Sequence, residues 1–98
     1  MLVDIRTLQD QIAVTFGARD RARGVDGTFR RLVEEVGEVA KALRAADRAA
    51  LALELSDLVA WTVSVAALSD VDLDAAVARY ASGCPRCGAS PCRCPTDP

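Results

Sequence analysis

Ninety-eight residues suffice for one domain with a modest core, and so short a chain often completes its core by associating with another copy. Twelve basic and 14 acidic side chains, well mixed, leave a net charge of −2, which provides no basic face for gripping nucleic acid. Histidine is absent, excluding histidine ligands and histidine-based triads, while 51 % apolar content with four aromatics points to surplus apolar surface and a subunit interface.

The opening Met1-Leu2-Val3-Asp4-Ile5 has neither the basic region nor the long apolar stretch of a leader. The longest uncharged apolar run, Leu58 to Ser69, is too short to span a bilayer. The expectation is therefore a soluble, cytoplasmic protein without membrane or nucleic-acid partners. From about Asp4 to Arg19, Ile5, Leu8, Ile12 and Phe16 recur at helical spacing, with Asp4 placed to cap. Residues 19–27 carry two glycines and several charges and read as a loop. Thr28 is placed to cap a second helix, Phe29 to about Arg44. After the short connection Ala45-Ala46-Asp47, Asp47 caps a third helix from about Arg48 to Leu68. A fourth starts at Asp70 or Asp72 and ends near Ser82-Gly83. No strand-like alternation appears, so the fold class is all-α: a four-helix domain over residues 1–82, then a cysteine-rich tail over 83–98.

On the second helix Leu32, Val36, Val39 and Leu43 centre the apolar stripe. Glu35 lies about 70° from that centre, Glu38 about 130°, and Glu34 nearly opposite, towards water. On the third, Leu51, Leu55, Leu58, Thr62 and Val65 form the main stripe, and Glu54, Asp57, Trp61 and Leu68 an adjoining face. Almost every side of this helix is apolar, so it should be covered all round, which makes its two carboxylates hard to place in water. Glu35/Glu38 and Glu54/Asp57 are both i,i+3 pairs, about two turns before and two turns after the connection. Equal depth on antiparallel neighbours brings the pairs face to face. A lone pair of this kind is usually a solvated face, and acids in a first turn also suit the helix dipole. Two such pairs beside one core need a counter-charge, and a hard divalent cation such as Mg²⁺ fits, which points towards phosphate chemistry. Gly37, costly inside a helix, leaves room for a neighbouring helix or ligand to come close.

With Glu34-Glu35-Val36-Gly37-Glu38 followed after 15 residues by Glu54-Leu55-Ser56-Asp57, the chain resembles the MazG-like, all-α nucleoside triphosphate pyrophosphohydrolases. Arg31-Leu32-Val33, Val39-Ala40-Lys41-Ala42-Leu43 and Leu58-Val59-Ala60-Trp61 flank the two motifs in the same sense, and the likeness runs over roughly residues 4–82. It implies a bundle completed by dimerisation, as a homodimer or homotetramer, with Glu35, Glu38, Glu54 and Asp57 as Mg²⁺ ligands. The implied reaction is Mg²⁺-dependent hydrolysis of a nucleoside triphosphate to monophosphate and pyrophosphate, in the service of nucleotide-pool house-cleaning. A phosphoribosyl-ATP pyrophosphohydrolase and a non-catalytic helical zinc-binding interaction module are the alternatives. Glu34 and Glu38 are the candidates for accepting the water proton. Lys41 and Arg79 are candidate phosphate contacts, against the reading of Lys41 as an ordinary surface lysine. Trp61 can stack on a base, although core packing also explains it. Arg19, Arg21 and Arg23 either cover the nucleotide from the loop or are simply solvated.

All four cysteines fall between Cys84 and Cys94. Cys84-Pro85-Arg86-Cys87-Gly88 reads as a knuckle, and Cys92-Arg93-Cys94 follows between Pro91 and Pro95. Four thiolates so close suit a closed, structural Zn²⁺ site. The second pair is tighter than the usual spacing, leaving an iron–sulfur cluster, or a redox or metal-free tail, as alternatives.

Overall fold

A computed structural model describes residues 3–96. Met1-Leu2, where a leader would begin, and Asp97-Pro98, the end of the expected tail, lie outside the described residues. Asp4 opens helix α1 (Ile5–Ala45) as its sequence suggests, its carboxylate accepting from the Thr7 amide at 2.7 Å. The expected loop at 19–27 is not there. The helix runs through it and breaks at one residue, Gly24, whose φ of 84° and ψ of 167° belong to a region open essentially to glycine alone. A one-residue break gives the chain two helical arms without a nine-residue loop. Thr28 consequently caps nothing and lies fully buried inside α1.

Ala46, in the left-handed conformation, and Asp47 form the whole connection to α2 (Arg48–Leu68). The Ala46 amide donates back to the carbonyls of Ala42 and Leu43, and the Asp47 side chain accepts from the Ala50 amide. So tight a turn forces α2 back antiparallel along α1. The expected fourth helix is short. Asp72 caps α3 (Leu73–Val77), and a 3₁₀ turn (Ala78–Tyr80) replaces the rest. The described residues thus hold three α-helices rather than four. Gln9 clamps α3 to the first arm of α1: its amide donates to the Val71 carbonyl at 2.9 Å and its oxygen accepts from the Leu73 amide at 3.0 Å. Arg6 adds an exposed ion pair with Asp72 at 2.7 Å.

The core is thin. Ile12, Ala42, Val63 and Ala66 are its buried apolar side chains. The expectation that α2 is covered all round fails for a single chain, where Leu53 is 62 % exposed and Leu55 and Val59 are also open. On the second arm of α1, Val36 and Leu43, placed at the centre of the apolar stripe, are exposed too. One helix cannot cover more than one side of α2, and the first arm of α1 is spent on its carboxyl-terminal half. By length and a mean hydropathy of 1.6, α2 would suffice to cross a bilayer, more than its uncharged run alone suggests. It carries Glu54 and Asp57 in its first half, however, and these face Glu35 of α1.

Candidate active site

Glu35 on α1 and Glu54 and Asp57 on α2 each bring a carboxylate oxygen within 4.8 Å of the other two. Their meeting follows from the short connection. Glu35 sits three turns before Ala46, and Glu54 and Asp57 sit two to three turns after Asp47, so the antiparallel helices set them level. All three are half-buried. Glu35 Oε1 is fully buried and has no hydrogen-bond partner. An orphaned carboxylate oxygen facing two further carboxylates is a costly arrangement for the protein alone. Burial, reinforced by the nearness of the Glu54 carboxylate and by the charges of Glu54, Asp57 and Glu38, pushes the Glu35 carboxyl up to about 7. The donor set is all oxygen, closely spaced and anionic, and it fits a hard divalent cation that also takes water or phosphate oxygens.

Glu38 stands outside this trio. It is exposed and lines a neighbouring surface pocket with Lys41, Asp47 and Glu54, so its charge reaches Glu35 although its oxygens do not join the cluster. Lys41 is exposed at the mouth of the same pocket. Glu34 points to solvent, beside Arg31 at 3.5 Å. Gly37 faces open space: a methyl group there would meet nothing within 4 Å, so among the described residues no neighbouring helix comes close to it. Arg79 lies on the 3₁₀ turn, its guanidinium 5.3 Å from the Tyr80 ring, in a cleft shared with the cysteine tail. Trp61 is half-buried and borders a cavity of about 140 Å³ whose wall also includes Phe16, Asp20 and Asp57.

Beside that cavity lies a network the sequence reading missed. Asp20 is 4 % exposed and takes an ion pair from Arg23 at 2.9 Å. The same Arg23 nitrogen donates to the Thr28 hydroxyl at 3.2 Å, and the guanidinium lies 5.0 Å over the Trp61 ring. Arg23 therefore ties the two arms of α1 together across Gly24 and rests on α2. The signal was present as an i,i+3 Asp–Arg pair, but only a helix running through residues 19–23 gives that spacing meaning.

At the other end of the chain, Cys84, Cys87, Cys92 and Cys94 bring their sulfurs within 4.8 Å of one another. Gly88, at φ 76°, lets the knuckle turn. Backbone amides of Cys87 and Arg86 hold the Cys84 thiol below its usual range, and those of Arg93 and Ala89 bring Cys87 down to about 6. Hydrogen bonding to Cys92 and Cys84 pushes Cys94 up to about 11.

No curated relative matches the chain. The family model of the MazG nucleotide pyrophosphohydrolase domain matches residues 23–83, which takes in Arg23, both acidic motifs and Trp61 and stops short of the cysteines. That match covers more than half of the chain and agrees with its all-helical architecture. The chain belongs to the MazG nucleotide pyrophosphohydrolase family.

Proposed function

We propose that the protein is a Mg²⁺-dependent nucleoside triphosphate pyrophosphohydrolase. The observation that carries this reading is the trio Glu35, Glu54 and Asp57 with its orphaned, buried oxygen. These three residues would hold the ion, with Glu38 completing the set from the rim. Mg²⁺ bound there supplies the positive charge that gathers phosphate oxygens and offsets the negative charge developing as pyrophosphate departs.

The remaining work falls to the chain. Glu35, whose carboxyl is pushed up to about 7, would serve as a ligand in its ionised form, with the proton released to solvent. Lys41, on the rim beside Glu38 and Glu54, offers an ammonium to the phosphates. Glu38 is the better candidate to accept the proton of the attacking water, because it borders the cluster while Glu34 turns away to Arg31. Water adds to the α-phosphorus, the bond to the α–β bridging oxygen breaks, and monophosphate and pyrophosphate result. The cavity beside Asp57 and Trp61 is the natural place for the nucleoside end, although Arg23 already lies over one face of the indole.

The exposed apolar residues of both helices, among them Leu43, Leu53 and Val59, support association with a second copy. Two chains packed through them would cover α2 without burying it in lipid. Sedimentation should report at least a dimer, and failure to float with neutral lipid vesicles separates this reading from a membrane-seated α2.

The direct test incubates the protein with a panel of nucleoside triphosphates and Mg²⁺ and measures pyrophosphate release. Turnover on at least one triphosphate is expected, together with its loss in Glu38→Gln at an unchanged helical circular dichroism signal. No pyrophosphate from any nucleotide would defeat the proposal, and an active Glu38→Gln would remove Glu38 from it.

A further inference from the structure

The matched family span ends at residue 83, and the cysteines begin at the next residue. We propose that Cys84, Cys87, Cys92 and Cys94 hold one Zn²⁺ in a closed tetrahedral site, and that this ion, rather than packing against the helices, gives residues 83–94 their order.

The geometry is that of a metal site rather than of a disulfide. The sulfurs of Cys84 and Cys94 stand 3.7 Å apart. A disulfide needs about 2.05 Å. Four sulfurs at about 2.3 Å from a central zinc define a tetrahedron whose edge is about 3.75 Å. Three of the four sulfurs also accept a backbone amide: Arg86 onto Cys84 at 3.4 Å, Arg93 onto Cys87 at 3.3 Å and Cys94 onto Cys92 at 3.4 Å. Amides aimed at sulfur stabilise thiolates and orient them as ligands. Charge balances as well. Four thiolates around Zn²⁺ carry a net −2, and one arginine sits between the cysteines of each pair, Arg86 in the first and Arg93 in the second.

The case that the ion orders the segment rests on what is missing around it. None of residues 83–96 is buried. Among the described residues, the backbone hydrogen bonds of this stretch, Cys84 to Ala89 and Gly88 to Cys84, stay within it, and no hydrogen bond or ion pair ties it to the helices. A cleft of about 760 Å³ lies between the knuckle and Arg79-Tyr80. With no core to offset the entropy of fixing a dozen residues, ligand bonds must supply the stabilisation. All four positions are filled by protein sulfur, so the site is structural and independent of the carboxylate trio.

The test uses the full chain purified under reducing conditions. Elemental analysis should find about one zinc per chain. After chelation, Co²⁺ should bind one per chain with the intense visible bands of a tetrahedral thiolate site, and Zn²⁺ should displace it. Cys87→Ser should weaken Co²⁺ binding by more than tenfold. Trypsin should cut after Arg86 and Arg93 at least tenfold faster in stripped than in zinc-loaded protein, with the helical cleavage pattern unchanged. The far-UV signal should survive both stripping and Cys87→Ser. Weak octahedral cobalt bands, bound iron with acid-labile sulfide, or a mass lighter by two hydrogens for each sulfur pair would overturn the zinc site. Equal proteolysis with and without zinc would overturn its ordering role. Zinc retained in Glu54→Gln separates this outcome from failure of the carboxylate reading.

Discussion

Replacing Glu35 by Gln should make the metal-free protein more stable at pH 8 while removing its response to Mg²⁺. In the fold the Glu35 carboxyl is pushed up to about 7 from an ordinary 4.5, first by burial and then by Glu54, Asp57 and Glu38. A carboxyl raised on folding contributes stability that is complete below the unfolded value of 4.5 and is lost as pH rises through about 7. At pH 8 the group is ionised in both states, and the fold carries the cost of that charge. A shift from 4.5 to about 7 corresponds to about 3 kcal/mol, which solvent at this half-buried site reduces to about 1–2 kcal/mol. Gln removes the charge and can donate to Glu54 and Asp57 where Glu35 repels them. At roughly 4–8 °C per kcal/mol for a domain of this size, the melting temperature at pH 8 should rise by several degrees. At pH 4, where Glu35 is protonated, the two proteins should melt together. Mg²⁺ at about 100 times its Kd should stabilise the parent by about 2.7 kcal/mol and Glu35→Gln far less. Thermal denaturation at pH 4 and pH 8, with and without Mg²⁺, reads all four arms. A variant less stable at pH 8, or one stabilised by Mg²⁺ as much as the parent, refutes the placement of Glu35 in a metal site.

Three further substitutions test the frame that holds the trio. Arg23→Ala strips the partner from the buried Asp20 and the Thr28 hydroxyl and uncovers Trp61; a loss of about 3 kcal/mol in urea unfolding and a changed Trp61 emission are expected. A loss under 1 kcal/mol would show that the network does not brace the break in α1. Gly24→Ala forces a side chain into a backbone conformation of φ 84° and ψ 167° and should cost about 1–3 kcal/mol; a neutral result would mean that the helix straightens freely. Gly37→Ala meets open space on the outer face of the helix and should raise stability by about 1 kcal/mol in the same assay. A decrease there would place a partner's surface against Gly37.

Much of the fold was legible because local signals were strong and unopposed. Asp4, Asp47 and Asp72 each stand before a periodic apolar segment, and each caps a helix. The break at Gly24 was not legible. Charges and glycines suggest a loop, yet in the fold Asp20 and Arg23 pair with each other and the helix continues on either side of one glycine. Intrinsic propensity is a weak prior once a buried pair and an aromatic ring stabilise the helical alternative.

The acidic site divides in the same way. Sequence alone determined that carboxylates at i,i+3 on consecutive helices with a short connection would lie level, because helical rise and chain reach leave little choice. It also determined that four cysteines crowd into one short tail. Only the tertiary structure decided which acids meet: Glu35, Glu54 and Asp57 converge, while Glu38 stays at the rim beside Lys41. The reason is that rotation about a helix axis is set by packing, and here the packing is spread along two arms joined at Gly24, whose relative setting no local periodicity specifies.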